Sequence, residues 1–354
     1  MKQEKNTQER RKKAVRHANI PIFIPHLGCP NMCVFCNQRS ISGKLKFDIS
    51  KVEEEIEAAL STLSAGDEAE IAFFGGSFTG IDRELMTDLL SLAQKYVDGG
   101  RVKSIRLSTR PDYISEEILD ILSQYSVGTI ELGLQSMDDE VLLATKRGHT
   151  SQTAIEACKK VKARGFSLIG QMMIGLPSSD VKKEIRTAEI ICELGADGAR
   201  VYPTVVFYET ELCDMMARGE YNALSNEEAV DRTKEALKVF AEKGVPCIRV
   251  GLQSGENLSD ERCVAGGANH SAIGELAMSA VYYDKICECL DAYEGEKMPE
   301  CITVYCPRGE ISKIVGQKRK NIEKINKKYQ IKRVKVLEKS ELLRYNIIID
   351  FNYI

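Results

Sequence analysis

The sequence predicts an α/β protein, with a partial (β/α)6-type barrel followed by a smaller α+β C-terminal domain. Short apolar runs alternate with amphipathic stretches from about residue 20 to residue 250. Each apolar run ends in polar or glycine-rich residues, which is typical of parallel β/α units that gather functional groups at the C-terminal ends of their strands. Six to seven such units are visible, whereas a complete barrel has eight. We therefore expect an open barrel that can admit a large substrate.

The individual elements follow from hydrophobic periodicity. Strands are predicted where short runs are mostly apolar, at Ile20–Ile24, Glu70–Phe74, Ser104–Leu107, Thr129–Leu134, Ser167–Met173, Ala199–Val206 and Pro246–Val250. Helices are predicted where apolar residues recur at three- and four-residue spacing, at Lys51–Leu63, Arg83–Tyr96, Ser115–Gln124, Asp139–Thr145, Gln152–Arg164, Val181–Leu194 and Asn226–Lys243.

Composition divides the chain into four regions. Residues 1–18 are polar and basic, which favours a disordered tail over a nucleic-acid-binding arm. Residues 19–260 hold the barrel, and residues 261–300 are an extension with a helix at Ala272–Tyr293. Residues 301–354 form a basic α+β region, predicted as strand, two helices and two strands at Cys301–Tyr305, Glu310–Val315, Asn321–Tyr329, Lys332–Leu337 and Tyr345–Asp350.

The net charge of −3 conceals an asymmetry. From Pro307 to Ile354 there are thirteen basic and five acidic residues, a local charge of +8, so the remaining residues sum to −11. No apolar run approaches the ~18 residues of a membrane span, and the charged segment Met1–His17 does not resemble a secretory signal. Twelve cysteines without a regular framework fit a reducing compartment. We expect a cytoplasmic protein.

Three cysteines, Cys29, Cys33 and Cys36, form a C-x3-C-x2-C motif directly after the first predicted strand. Thiolates are soft ligands that suit iron–sulfur clusters. Three of them would leave one iron of a four-iron cubane without a protein ligand, and such an iron is available for chemistry. The alternative is a zinc site with His26 as the fourth donor, although zinc sites usually pair their ligands as two C-x2-C units.

This motif, with the aromatic residue Phe35 before the last cysteine, resembles the radical S-adenosylmethionine (SAM) superfamily. The resemblance implies a [4Fe–4S] cluster whose open iron is chelated by SAM. It also implies cleavage of SAM to methionine and a 5′-deoxyadenosyl radical, and an electron donor such as flavodoxin or ferredoxin. On this reading Phe35 packs against SAM.

Further motifs fit a SAM site. Gly75 and Gly76 form a turn after a strand, where the superfamily brings bare main chain close to the methionine end of SAM. Gln135 and Arg147, and then Gln171, resemble SAM-contacting residues of oxygen-independent coproporphyrinogen oxidases in spacing and order. Glutamine can bond ribose hydroxyls, and arginine can fork onto a carboxylate. Each residue could alternatively be part of a polar barrel rim.

Several other segments look like the catalytic subunit of Elongator over residues 20–290. They are Ser108–Asp112, Ile130–Ser136, Arg147–Thr150, Gly175–Pro177, Val201–Thr204 and Ala268–Leu276. That group carboxymethylates the wobble uridine of tRNA with radical SAM chemistry and acetyl-CoA. The present chain lacks the group's extended cysteine spacing and has no predicted acetyltransferase domain, so the resemblance implies the radical SAM part only.

The C-terminal region resembles a KH RNA-binding domain at Gly316-Gln317-Lys318-Arg319. KH domains clamp nucleic-acid backbone with a G-x-x-G loop between two helices. Gly316 takes the first glycine position, Arg319 replaces the second, and Lys318, Arg319 and Lys320 offer cationic donors. The alternative is a basic solvated cap.

The sequence therefore predicts a radical SAM enzyme that acts on RNA, and most specifically on tRNA. One alternative is a radical SAM enzyme for a small molecule such as a tetrapyrrole, and the other is a non-enzymatic zinc- and RNA-binding protein. His149 and His270 are candidates for substrate binding, acid–base chemistry or a structural role. Cys287, Cys289, Cys301 and Cys306 are expected to be buried free thiols rather than ligands of a second cluster.

Overall fold

A curled parallel sheet forms the centre of the molecule. The computed structural model describes residues 17–24, 27–29, 33–37, 47–64, 66–252 and 262–351. In these ranges seven strands pair in parallel, in the order β1-β2-β3-β4-β5-β6-β8. Their bounds are β1 His17–Ile24, β2 Glu68–Gly75, β3 Ser104–Thr109, β4 Val127–Gln135, β5 Ser167–Ile174, β6 Gly198–Pro203 and β8 Cys247–Val250. The sheet forms a half-barrel, as the sequence predicted.

Helices connect successive strands and bury the apolar residues of the sheet. They are α1 Val52–Ser61, α2 Arg83–Asp98, α3 Glu116–Leu122, α4 Asp139–Ala144, α5 Ser151–Ala163, α6 Val181–Glu193, α7 Glu211–Ala217, α8 Asn226–Glu242 and α9 Ile273–Asp291. Most begin at a side-chain cap; Ser225, for example, forms a reciprocal capping box with Glu228 at the start of α8. The short helix α7 was not predicted.

The alternation of side chains along the strands separates two environments. Residues such as Ile71, Phe73 and Ile105 are fully buried in the main hydrophobic core. Their immediate neighbours along the strands include Glu70 and Arg106, which are also buried but polar. Because side chains alternate across a strand, these polar groups lie on the opposite face of the sheet from the apolar core. That face is the interior of the half-barrel.

The strand predicted at Ala199–Val206 is in fact two strands. β6 ends at Pro203, and β7 (Val205–Phe207) pairs in antiparallel fashion with β9 (Val264–Gly267). Thr204 lies between them, and its backbone N–H and hydroxyl both bond the Ile174 carbonyl. Proline has no N–H for the ladder, so the change of partner at this point has a local cause.

The C-terminal region is a small α+β unit. β10 (Cys301–Cys306) lies between the parallel strand β11 (Arg333–Glu338) and the antiparallel strand β12 (Ile348–Asp350). Two short helices, α10 (Ile311–Val315) and α11 (Lys320–Tyr329), separate β10 from β11. The predicted order of these elements is confirmed. The four domain boundaries stay predictions, and the boundary at residue 260 lies outside the described residues.

Some predictions fall on residues that the structure does not describe. These are most of the basic tail at residues 1–18 and the candidate zinc ligand His26. None of the described helices is both long enough and apolar enough to cross a membrane.

Candidate active site at the cysteine loop

The three cysteines lie beyond the C-terminal end of β1. Cys33 is buried, whereas Cys29 and Cys36 are half-buried. The Cys36 N–H bonds the Cys33 carbonyl over 3.0 Å, which closes a tight turn. The loop thus carries three cysteine side chains, the donor type that an iron–sulfur cluster needs.

Hydrogen bonds and packing at Val34 fix this loop to two distant elements. The Val34 N–H donates to the Thr145 carbonyl over 3.2 Å, and the Val34 carbonyl accepts from the Leu212 N–H over 2.8 Å. The Val34 side chain is 1% exposed and packs with Val206, Leu212 and Tyr221. Phe35 is half-buried against the same cluster, which provides an apolar wall beside the last cysteine.

The turn at Gly75 and Gly76 touches the cysteine loop directly. The Gly76 N–H donates to the Ile24 carbonyl over 2.8 Å, and the Ser77 N–H donates to the Leu27 carbonyl over 3.1 Å. A Cβ at Gly76 would overlap the Leu27 carbonyl oxygen, so a larger residue would displace the loop. Close packing of the main chain therefore requires a glycine at position 76, independently of the SAM contact predicted from the sequence.

Arg147 reaches from beyond α4 to the cysteine loop. Its Nη1 donates to the Cys33 sulfur over 3.3 Å, and its Nη2 donates to the Gly133 carbonyl over 2.6 Å. The side chain is buried, with 6% exposed. The structure thus brings a predicted SAM-binding arginine into contact with a predicted cluster ligand.

Gln135 lies next to Arg147. A Cβ on Gly133 would lie 3.0 Å from Gln135 Nε2 and 3.5 Å from Arg147 Nη2. Gln135 has a positive φ of 66°, and its buried Oε1 accepts no hydrogen bond from any described residue. A buried acceptor without a partner is costly unless a ligand satisfies it. Gln135 is therefore well placed to bind a polar cofactor.

Gln171 occupies a different environment. Its Nε2 donates to Glu131 Oε2 over 2.9 Å and to Ser108 Oγ over 3.3 Å. Glu131 is completely buried, and it also pairs with Arg106 and Arg200. Gln171 is thus part of an ionic network inside the half-barrel, and no described contact joins it to Arg147.

Sequence reasoning gave no role to Arg110, although its motif was noticed. The side chain is 4% exposed, and it forks onto Asp112 through Nε and Nη2, both over 2.9 Å. Nη2 also donates to the Arg147 carbonyl. The available signal was the position of this polar motif directly after a parallel strand.

The two candidate histidines differ. His149 is buried beside Arg147, and burial, aided by that positive charge, lowers its pKa to about 4, so it is neutral at neutral pH. Its Nε2 has no hydrogen-bond partner among the described residues. His270 Nδ1 instead accepts from the Ala272 N–H over 3.0 Å, while the backbone N–H of His270 donates to Asn226 Oδ1. His270 therefore serves the turn before α9.

The remaining cysteine prediction was correct only in part. Cys287 and Cys306 are buried free thiols, but Cys301 is half-buried and Cys289 is exposed, because the latter lies on the solvent side of α9. Across the ranges that the structure describes, no three His, Cys, Asp or Glu side chains are arranged to hold a single metal ion.

The basic segment Lys318–Lys320 lies between α10 and α11, as predicted. Gly316, Lys318 and Arg319 all have positive φ, and the three basic side chains are exposed. They form no hydrogen bond or ion pair with the part of the chain that the structure describes. Asn321 is buried and donates to the Ser279 and Ile314 carbonyls, which anchors the base of the loop. The loop therefore presents three unpaired cations on a fixed support.

Comparison with known proteins gives consistent matches. A model of the radical SAM superfamily matches residues 23–190, and a model of the radical SAM C-terminal domain matches residues 196–282. The tRNA uridine(34) acetyltransferase of Methanocaldococcus jannaschii is 29% identical over 198 residues, which are 55% of this chain and 36% of that protein. Human Elongator complex protein 3 is 28% identical over 233 residues, 60% of this chain and 42% of that protein. The chain thus spans less than half the length of these relatives.

A solved structure shares the fold. The archaeal Methanocaldococcus infernus Elp3 superimposes with a TM-score of 0.61 at 22% identity, covering 78% of this chain and 64% of that chain.

Proposed function

Because the chain belongs to the radical SAM superfamily, we propose that its cysteine loop holds a [4Fe–4S] cluster and that the enzyme modifies a tRNA. The observation that carries the first part is the contact between Arg147 and Cys33, next to the unsatisfied Gln135. The second part is supported by the names of the relatives, which include a tRNA uridine(34) acetyltransferase, and by the cationic loop at Lys318–Lys320. The family uses the cluster and SAM as cofactors.

Cys29, Cys33 and Cys36 would hold the cluster, and Gly75, Gly76, Gln135 and Phe35 would form the adjoining SAM site. When bound, the cluster and SAM would supply radical chemistry at this site. The chain would position these cofactors. The hydrogen bonds of Val34 fix the cysteine loop, and the turn at Gly75 and Gly76 would let the main chain approach SAM closely. Gln171 would contribute to the SAM site from inside the half-barrel, where its Nε2 donates to Glu131 Oε2.

Arg147 acquires a more specific role from its contacts. Both Nη atoms are engaged, one with the Cys33 sulfur and one with the Gly133 carbonyl. We therefore propose that Arg147 orients Cys33 and the end of β4, and that it contributes positive charge to the SAM site. The predicted bidentate bond to a SAM carboxylate would require one of these contacts to open.

The proposal also bears on acetyl transfer, on the location of the protein and on its electron donor. The alignment leaves most of the acetyltransferase relative uncovered, so acetyl transfer is not included. A tRNA substrate implies a cytoplasmic location, and the reduction of the cluster implies an electron donor such as flavodoxin or ferredoxin. A tetrapyrrole substrate would leave the unpaired cations at Lys318–Lys320 without a role.

Replacing Gln135 by alanine should weaken SAM binding by about 1–3 kcal/mol, since a buried partner of the ligand is lost. This corresponds to a fall of roughly five- to 150-fold in affinity, measured by calorimetry on reconstituted protein. Gln152→Ala, an exposed amide at the start of α5, is the control and should bind SAM normally. Equal affinities for both variants and the wild type would remove Gln135 from the site.

The tRNA proposal is tested by a salt titration of tRNA binding. If Lys318, Arg319 and Lys320 contact phosphates, their joint replacement by alanine should flatten the log–log salt slope by about two, at about 0.7 per contact for single strands. The same variant should cleave SAM normally when RNA is absent.

The matched control replaces three exposed lysines of the barrel, Lys159, Lys182 and Lys243, by alanine. It removes the same charge and should keep the wild-type slope. Identical slopes for the wild type and the loop variant would contradict the RNA role of the loop. A wild-type protein that takes up iron and sulfide but does not cleave SAM under dithionite would contradict the enzymatic proposal.

A further inference from the structure

Arg249 lies on the inner face of β8, at one edge of the half-barrel. In the parallel pairing of β6 with β8, Arg249 is opposite Arg200, so the two side chains lie on the same face of the sheet. Arg249 is half-buried, and its Nε donates to the Gly251 carbonyl over 3.1 Å. Its two Nη groups form no hydrogen bond or ion pair with any residue that the structure describes. The guanidinium is thus anchored at one nitrogen, and its fork is available to a ligand.

The side chains next to Arg249 offer it no carboxylate. Glu131 is completely buried, and it pairs with Arg106 and Arg200. The Tyr202 hydroxyl accepts from Arg200 Nη1 over 3.4 Å, and it donates to no described residue. Burial raises the pKa of Tyr202, although the nearby charges of Arg200 and Arg249 oppose the rise, so the phenol keeps its proton at neutral pH. Arg249 and Tyr202 therefore present hydrogen-bond donors side by side, which suits an anion.

The edge at β8 is connected to the basic loop of the C-terminal unit. Among the described strands β8 pairs only with β6, so the sheet is open beside it. A Cβ at Gly274, in the first turn of α9, would lie 3.1 Å from the Val250 side chain of β8. Further along α9, the Ser279 carbonyl accepts from Asn321, which anchors the loop at Lys318–Lys320. One helix therefore joins the open edge of the half-barrel to the cationic loop.

An RNA chain continues on both sides of a nucleotide that enters the half-barrel, so its backbone has to cross an open edge of the sheet. Resting on the tRNA substrate proposed above, we infer that Arg249 and Tyr202 bind a backbone phosphate of that RNA at the β8 edge. An arginine fork matches two phosphate oxygens, and the phenol supplies a further donor. Such contacts fix the position of a nucleic acid without reading its bases. The loop at Lys318–Lys320 binds a different part of the same RNA.

A salt titration of the binding of unfractionated tRNA tests this site. Arg249→Gln removes one phosphate contact, so the log–log salt slope should flatten by about 0.7. Affinity at a fixed low salt concentration should fall at least about tenfold, because a hydrogen bond to a charged group is lost. Lys243→Gln is the control, because it removes an exposed charge just beyond the end of α8. It should bind tRNA like the wild type.

Two conservative variants separate charge from geometry. Arg249→Lys keeps the charge but loses the fork, and Tyr202→Phe loses only the hydroxyl. Each should keep the wild-type slope and bind tRNA about fivefold more weakly, since each loses a neutral or partial share of the contact. Circular dichroism checks that every variant is folded. If Arg249→Gln is not folded, the affinities of the two conservative variants decide the question.

The outcomes also separate this inference from the function on which it rests. A wild-type protein whose tRNA binding does not weaken with salt would overturn the tRNA proposal, and this inference with it. A steep wild-type slope that Arg249→Gln leaves unchanged would overturn the phosphate site alone. Where Arg249→Gln does not fold, wild-type affinity in both conservative variants would do the same. A flatter slope for Arg249→Gln, with the wild-type slope for Lys243→Gln, would support the site.

Discussion

Cys33→Ser is expected to abolish SAM cleavage while leaving the protein folded. A serine oxygen is a hard ligand that binds iron–sulfur clusters poorly. Loss of an outer-sphere partner of a metal site already costs 10–100-fold, so loss of a ligand should reduce activity by at least ~100-fold. The fold should survive because the loop is held by the backbone of Val34 and by its buried side chain, neither of which involves the Cys33 sulfur.

The measurement combines iron content, absorbance near ~400 nm and chromatographic detection of 5′-deoxyadenosine under dithionite. Circular dichroism of the apo forms checks the fold. Cys213→Ser is the matched control, because Cys213 is half-buried beside the same apolar cluster as Val34 but lies outside the motif. It should retain iron and activity. Wild-type production of 5′-deoxyadenosine by Cys33→Ser would show that the motif does not hold the cluster.

The half-barrel could be predicted because each strand and helix has a recognisable hydrophobic pattern within its own stretch of sequence. The strand predicted at Ser167–Met173 is Ser167–Ile174 in the structure, and the helix predicted at Val181–Leu194 is Val181–Glu193. Strands that are buried on both faces have near-continuous apolar runs, and the helices between them have a clear 3.6-residue period. The prediction was wrong at the change of partner between β6 and β7, because β7 pairs with β9, a strand that lies far along the chain.

The sequence predicted a set of candidate site residues but not the contacts among them. The sequence identified Gln135 and Arg147, and the structure brings them together around Gly133. It did not reveal that Gln171 faces Glu131, or that Arg110 forks onto Asp112. The contact between Gln171 and Glu131 depends on strand register, in which Ser108 is opposite Glu131, and a shift of one residue would turn every side chain to the other face.

The buried ion pairs inside the half-barrel depend most clearly on the register of the strands. Glu131 on β4 accepts from Arg106 on β3 over 2.8 Å and pairs with Arg200 on β6 over 2.9 Å. Arg106 also pairs with Glu70 on β2 over 2.8 Å. Two carboxylates and two guanidiniums therefore neutralise one another across four strands. Removing one partner of such a set leaves an uncompensated buried charge, which is far more costly than losing an exposed ion pair.

Glu131→Gln should consequently lower the free energy of unfolding of the apo protein by about 3–5 kcal/mol. The amide keeps the size of the side chain, so the change isolates the lost charge from the creation of a cavity. Urea unfolding followed by circular dichroism provides the measurement, with the slope expected to stay constant. Glu116→Gln is the control, because Glu116 pairs with Arg164 at the surface, where its side chain is 58% exposed, and its loss should cost no more than about 1 kcal/mol. If the two variants unfold at the same urea concentration, the interior network does not hold the half-barrel together, and the ions would then be retained for the chemistry carried out above them.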